Sequence, residues 1–301
     1  MEIRRLILVG AGALGSFFLL SAGRVGVDRI DVFDGDIVRE ENIGNQPIFS
    51  LQDARKALYK TDALMKIKTV LRPTELVGHN FYVTGRNMEN LPLGKHTVIV
   101  DCTDNVETKL LLNALAVKEK IPLLSLSAHG AKGSVYLMDG REACLECIYG
   151  GVFDKLSRTG CDRLSPVYAS FVSSVGVDEL SFFTKSGRSH GFISIDAEKR
   201  RIETVHLKKS KECSICVKRY FNQRISLDFI QLCGNSIKMS VQHDVNIQNI
   251  KRLLKGKKRI VGDSLLVENN GKEVFLSPSG DILFTGYLKD EAERLLRKIE
   301  A

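Results

Sequence analysis

Arg4-Arg5-Leu6-Ile7-Leu8-Val9-Gly10-Ala11-Gly12-Ala13-Leu14-Gly15 is the stretch that decides the fold. A short apolar run ends in glycine, a Gly-x-Gly-x-x-Gly turn follows, and Ser16 to Ala22 must change to a helical period. Arg29-Ile30-Asp31-Val32-Phe33-Asp34 then reads as a second strand, which closes a βαβ unit in about 30 residues. Each glycine has its own reason. Gly10 permits the tight turn, Gly12 lets backbone approach a phosphate, and Gly15 lets the helix pack closely on the sheet. The helix start then offers unpaired N–H groups and a positive dipole end to an anion.

Beyond this unit, strands and helices keep alternating. Lys60 to Val70 has helical spacing and stops before Pro73. Phe81 to Thr84 and Thr97 to Val100 read as strands, the second fully apolar and so central. Thr108 to Lys120 is a helix; Pro122 to Leu126 and Gly133 to Leu137 are strands; Val167 to Leu180 is helical. This is the pattern of an α/β fold with a Rossmann-like, doubly wound, mainly parallel sheet. The tail differs. A helix over Asn246 to Leu254, short strands at 265–267, 273–276 and 282–284 joined by Asn270-Gly271 and Pro278-Ser279-Gly280 turns, and a helix from Tyr287 to Ile299 make a small α+β module. The expected division is 1–217 and 218–301.

The chain has seven cysteines, and four fall in two Cys-x-x-Cys pairs, Cys144/Cys147 and Cys213/Cys216. Two thiolates three positions apart bind one ion from a turn, and two such turns complete a closed tetrahedral set. Such a set leaves no open position, so the expectation is structural Zn²⁺. A redox pair is the competing reading, but nothing around either pair suggests a thioredoxin-like unit. An odd cysteine count without a recognisable secretory signal points to a reducing compartment, the cytoplasm by default.

Asp34, just past the second strand, is placed to accept hydrogen bonds from ribose hydroxyls, against a reading as a solvated strand-end acid. Asp34-Gly35-Asp36 leads into a polar, amide-rich stretch, Glu40-Glu41-Asn42-Ile43-Gly44-Asn45-Gln46, that a dehydrogenase would not need. The fourth strand runs into Asp101-Cys102-Thr103-Asp104-Asn105. Two acids and an amide at a carboxyl edge suit Mg²⁺ on a phosphate. No apolar run approaches the roughly 18 residues of a membrane helix. Hydrophobic residues at 44% and charged residues at 27% are globular values, and 25 Gly with 6 Pro exclude low complexity.

Together GAGALG, DGDIVREENIGNQ, Lys60, DCTDN, CLEC and CSIC resemble, in order and spacing, the ThiF/MoeB/HesA family of the ubiquitin-activating-enzyme superfamily. The resemblance spans about Ile3 to Val217. The tail, with LCGNS and SPSGDILFTGYLKDEAERLLRKI, is similar to an extension on some prokaryotic members. It implies a Rossmann-type homodimer that uses ATP to adenylate the C-terminal glycine of a ubiquitin-like or sulfur-carrier protein ending in Gly-Gly. Gly10, Gly12 and Gly15 then match the nucleotide loop and Asp34 the ribose acid, with Asp36 beside it. Asn42 matches the asparagine of an N-L-x-R-Q stretch, Lys60 a lysine on the ATP phosphates, Asp104 the magnesium-linked acid, and Asn105 follows it. Cys161, in Thr159-Gly160-Cys161-Asp162-Arg163 before Pro166, matches a cysteine that takes the acyl group or sulfur in many members, or is an ordinary loop thiol.

Two positions depart from that pattern. Asn45 stands where the family has an arginine, and Lys109 replaces a later arginine, losing the bidentate fork. Arg39, Lys56 or Arg5 are the candidates to supply the missing cation. Three other readings stay open: a catalytically weakened adaptor of the same fold that binds a ubiquitin-like protein, a tRNA-modifying adenylating relative, and a nicotinamide dehydrogenase with a structural zinc. The zinc pairs speak against the second. The Asp101/Asp104/Asn105 group, and the fact that none of the six histidines sits in a motif, speak against the third. Net charge is +8, and from Val217 onward there are 15 basic and 10 acidic residues. Most of the surplus therefore lies outside the expected active site. It fits an acidic partner better than nucleic acid, and no membrane is expected as a partner.

Overall fold

A computed structural model describes the chain except Met1, Arg24, Arg86, residues 151–163, 222–228, 233–235 and 242–245, Ser279 and Ala301. The chain divides into two compact units, Met1–Ser226 and Leu227–Ala301.

The first unit begins with β1 (Arg5–Val9), α1 (Ala13–Ala22) and β2 (Arg29–Phe33), with β1 and β2 parallel. Two short helices follow, α2 (Leu51–Lys56) and α3 (Lys60–Leu64), then β3 (Glu75–His79) and β4 (Thr97–Asp101). After α4 (Val106–Glu119) come β5 (Leu123–His129), β6 (Lys132–Met138), α5 (Leu145–Tyr149), α6 (Pro166–Ser186), β7 (Phe192–Asp196) and β8 (Arg201–Val205). The eight strands form one sheet in the order β3-β2-β1-β4-β5-β6-β7-β8. The first five run parallel and the last three antiparallel.

Alternation along β1 sorts its side chains onto two cores. Leu6 and Leu8 face one way, with Ile30, Val32, Val98 and Val100, toward α1 and α6. Ile7 and Val9 face the other way, with Phe33 and Ile99, toward α4 and the cysteine pairs. All five β4 residues are buried, as a strand covered on both faces requires. On α6, Pro166 sits at the helix start and Gly187, at φ 65°, ends it.

Two expected elements differ. Phe81 to Thr84 is not a strand; the third strand is Glu75–His79. The apolar side chains that suggested a strand cap the end of β2 instead. Phe81 packs edge-on to Phe33 at 5.3 Å, and a Cβ on Gly35 would lie 2.5 Å from the Tyr82 ring. The helix expected from Lys60 to Val70 ends at Leu64 and tightens into a 3-10 turn over Met65–Ile67.

The second unit is a six-stranded antiparallel sheet. Its strands are β9 (Phe229–Leu232), β10 (Ser236–Ser240), β11 (Lys257–Val261), β12 (Ser264–Asn269), β13 (Lys272–Leu276) and β14 (Asp281–Thr285), in the order β11-β12-β13-β14-β10-β9. Helices α7 (Ile247–Leu253) and α8 (Lys289–Glu300) contribute Ile250, Ala292 and Ile299 to its core, with Ile237, Val267, Val274 and Phe284. Asn269 pairs with Lys272 across the Asn270-Gly271 turn, whose φ values of 51° and 75° only such residues adopt without strain. Among the described residues no helix is long and apolar enough to cross a membrane.

Candidate functional site

The parallel register sets the site. Val9 lies opposite Phe33 on one side and Asp101 on the other, so β1, β2 and β4 end level. The strand order reverses between β1 and β4, and open α/β sheets bind ligands outside the carboxyl ends at such a point. The glycine loop occupies it. Gly10, at φ 95°, donates its N–H to Phe33 O at 2.9 Å, and a Cβ there would meet the Cys102 backbone at 2.9 Å. A Cβ on Gly15 would fall 1.9 Å from the Gly10 carbonyl oxygen, so any side chain separates α1 from the loop. Nothing lies within 4 Å of the corresponding direction at Gly12, which leaves its backbone open to a ligand. Gly12 is the N-cap of α1 and makes no side-chain cap bond, so the first-turn N–H groups have no capping side chain.

Two acids and a lysine line the loop. The Asp34 carboxylate accepts the Ala11 N–H at 2.7 Å and the Asp36 N–H at 2.8 Å. Each oxygen keeps a lone pair for a further donor. Lys60, on the first turn of α3, places Nζ 2.6 Å from Asp36 Oδ2 with its side chain only 9% exposed. Arg39 Nε lies 4.0 Å from Asp36 Oδ1. Burial pushes the Asp34 carboxyl above the usual carboxylate range, and neighbouring Asp36 pushes the same way. Burial also opposes ionisation of Asp36, but Lys60 and Arg39 hold its carboxyl below that range. Burial works against the Lys60 charge too, yet Asp36, Asp34 and Asp104 keep its ammonium above its ordinary value. Asp104 itself is exposed. The structure therefore gathers Gly10, Gly12, Gly15, Asp34, Asp36, Lys60 and Asp104 at the carboxyl ends of β1, β2 and β4.

Other expected residues do different work. Asn105 is the N-cap of α4, its Oδ1 accepting the Thr108 N–H at 2.8 Å. Asn42 Oδ1 accepts the Arg39 N–H at 2.9 Å, which fixes the turn that carries Arg39, and Asn45 lies just beyond it, its N–H on Asn42 O. Asp101 is fully buried, and its carboxylate is taken up by Lys109 Nζ at 2.9 Å, Ser125 Oγ at 2.7 Å and Thr103. The magnesium role read for it does not hold, because a metal would have to displace that network. Lys109 is equally occupied, with Leu126 O at 2.7 Å, so it supplies no phosphate cation. Of the three candidate replacements, Arg39 is at the site. Arg5 is at the opposite end of β1, on Pro92 O at 3.0 Å, and Lys56 is exposed on α2. Burial pushes the Cys102 thiol well up, consistent with packing. Cys161 and Cys233 lie outside the described residues.

The cysteine pairs converge. The Sγ atoms of Cys144, Cys147, Cys213 and Cys216 all lie within 4.8 Å of one another, and none of these cysteines is in a disulfide. The separations are 4.0 Å for Cys144–Cys147, 3.6 Å for Cys144–Cys213 and 3.5 Å for Cys147–Cys216. Zinc–sulfur bonds of about 2.3 Å in a tetrahedron put sulfurs about 3.8 Å apart, so the set fits that ion. Backbone N–H groups of Ser210 and Cys216 point at Cys147 and Cys213 Sγ, each at 3.4 Å, donors of the kind that support metal-held sulfurs. Asn113 was not singled out from sequence. It is fully buried, donates to Cys144 Sγ at 3.7 Å and accepts the Leu145 N–H at 2.9 Å. A lone amide inside Leu110-Leu111-Leu112-Asn113-Ala114-Leu115 was the available signal.

The chain is 32% identical over 146 residues to the Bacillus subtilis sulfur carrier protein ThiS adenylyltransferase, covering 48% of this chain and 43% of that one. It is 26% identical over 223 residues to the Salmonella typhimurium molybdopterin-synthase adenylyltransferase, covering 70% and 86%. The chain thus spans under half of the first relative's length. Among solved structures, Escherichia coli MccB with succinimide superposes with a TM-score of 0.61 at 16% identity, covering 71% of this chain and 66% of that one, a likeness of fold. The ThiF family matches residues 2–215, through the glycine loop, Lys60, Asp104 and three of the four clustered cysteines. The chain belongs to the ThiF family.

Proposed function

We propose that the protein adenylates the C-terminal glycine of a ubiquitin-like or sulfur-carrier protein ending in Gly-Gly, using ATP. The observation that carries this reading is the level end of β1, β2 and β4, where an uncapped helix start, a charged Lys60, a ribose-competent Asp34 and an exposed Asp104 meet. The relatives' names, a sulfur carrier protein adenylyltransferase and a molybdopterin-synthase adenylyltransferase, support it.

The chemistry follows from those groups. Asp34 accepts the ribose hydroxyls, and the first turn of α1 receives phosphate oxygens. The carrier's terminal carboxylate attacks the α-phosphorus, a new P–O bond forms, and pyrophosphate leaves. The nucleophile is already an anion, so no general base is needed. Lys60 and Arg39 offset charge that grows on the phosphates as the bond breaks. Asp104 has the chemistry and exposure to hold Mg²⁺, which would neutralise the leaving pyrophosphate. Zn²⁺ at the four cysteines is a structural clasp, a homodimer is the expected assembly, and the cytoplasm is the expected location. In a second step the Cys161 thiolate, or a persulfide formed on it by a sulfane-sulfur donor, attacks the acyl-adenylate carbonyl, so that a thioester or acyl persulfide forms and AMP leaves.

Pyrophosphate exchange into ATP is expected to require a carrier ending in Gly-Gly. Asp104→Ala is expected to lower that exchange by about 100-fold while thermal melting stays unchanged, since the side chain is exposed. No exchange with any carrier, alongside intact ATP binding, favours the adaptor reading, which Asn45 in place of the family's arginine and the occupied Lys109 support. Cys161→Ala is expected to retain exchange and lose carrier transfer. A variant that transfers normally removes Cys161 from the mechanism.

A further inference from the structure

Asn105, Lys109 and Asn113 recur every four residues and so share one face of α4. Each is committed to a different partner. Asn105 caps the helix beside Asp104. Lys109 ties it to Asp101 at the end of β4 and to Leu126 O on β5. Asn113 ties it to Cys144 and Leu145, the start of α5 in the cysteine clasp. Leu111, Leu112 and Leu115 of the same helix share a core with Cys144, Leu145, Cys213 and Ile215, all buried. The helix thus joins the clasp at its middle to the nucleotide opening at its first turn. An axial shift of α4 would break buried polar bonds, which carry a high cost when left unmade.

We propose that α4 couples metal occupancy of the four-cysteine clasp to nucleotide affinity, with Asn113 as the positioning residue that transmits it. This rests on the adenylation reading for the ligand and on the clasp's fit to Zn²⁺. Only one orientation of the Asn113 amide satisfies both contacts, because the Leu145 N–H needs the oxygen and leaves the amide N–H for sulfur. That donation is stronger to a metal-held thiolate than to a thiol. Metal loss therefore weakens the link that holds α5 against α4, and with it the placement of Asp104, whose charge acts on Lys60. By linkage, nucleotide must strengthen metal retention by the same factor by which metal strengthens nucleotide binding.

The test uses full-length, zinc-loaded protein. Zinc release to a chromogenic chelator is followed with and without saturating ATP, and ATP affinity is measured by calorimetry before and after zinc removal under reducing conditions. In the wild type ATP is expected to slow zinc release at least about 5-fold, and zinc removal to weaken ATP binding by a similar factor. Asn113→Leu, close in volume, is expected to release zinc about 10–100-fold faster and to lose the ATP effect. Asn113→Asp keeps the acceptor for Leu145 and repels the sulfur, so it is expected to lose the ATP effect too. A merely structural asparagine would change the release rate and leave the ATP effect in place. Zinc release indifferent to ATP in wild type that binds ATP overturns the coupling alone, without any variant. Absence of ATP binding by the zinc-loaded wild type overturns the adenylation reading and the coupling together.

Discussion

Replacing Lys60 by alanine is expected to abolish carrier-dependent pyrophosphate exchange, with a fall beyond about 100-fold, and to destabilise the first unit. Both effects come from one contact, the 2.6 Å pairing of Nζ with Asp36 in a nearly buried setting. Without the ammonium, Asp34 and Asp36 face each other with Arg39 as the nearest counter-charge, 4.0 Å from Asp36. Removing one partner of a buried pair costs about 3–5 kcal/mol, and the partial exposure of Asp36 argues for the lower end. The pH dependence follows from Asp36, whose folded carboxyl lies below its ordinary value. Its contribution to stability is present above the unfolded carboxylate range and is lost as pH falls through the lower folded value. The variant's deficit should therefore be largest near neutrality and shrink on acidification. Lys60→Met, which keeps most of the volume, separates packing from charge. Denaturant unfolding at pH 7 and across the acid range below pH 4, with exchange measured at pH 7, checks both parts; wild-type exchange in either variant removes Lys60 from phosphate binding.

The parts of this site legible in the sequence are those whose chemistry is local. The turn at Gly10, the open backbone at Gly12 and the contact at Gly15 are forced within six residues, so spacing alone exposes them. Each cysteine pair is legible for the same reason. Partner choice across the fold is not. Asp101 and Lys109 carry charges next to a motif and read as ligands, yet they lie eight apart, pair at 2.9 Å and bury each other. Nothing in the string distinguishes a charge aimed at a phosphate from one aimed at its neighbour. The third strand was hidden by Gly78, a weak strand former. A Cβ there would come within 3.0 Å of Thr61, so the close approach of α3 to β3 asks for the residue that erases the strand signal. In the second unit, β11 reads Lys257-Lys258-Arg259-Ile260-Val261 and was missed. It is the last strand at one side of that sheet, where lysines are favoured because they discourage pairing with other chains.

Stripping the four-cysteine clasp of metal is expected to destabilise the first unit by at least about 3 kcal/mol, set against the roughly 10–16 kcal/mol that zinc contributes in small zinc-finger peptides. The lower figure reflects what remains, since Cys144, Leu145, Cys213 and Ile215 stay packed against α4 through apolar contacts. For a unit of this size the melting temperature should drop by on the order of 10 °C. Acid should mimic chelation. Burial pushes the Cys144 thiol well up and the Cys216 thiol up to about 12, so without metal these groups hold their protons at neutral pH. Binding must displace those protons, and affinity for zinc falls as pH falls. The measurement has to be made under reducing conditions, because sulfurs 3.5–3.6 Å apart would oxidise to disulfides once the ion leaves and staple the clasp shut. Protein purified without chelator should carry one zinc per chain by elemental analysis. Cys213→Ser, which removes one ligand and keeps the local volume, should reproduce the low-melting, zinc-poor state without any chelator. A chain with substoichiometric metal, and a melting temperature that neither chelator nor Cys213→Ser moves, would mean that packing against α4 holds the four sulfurs together unaided.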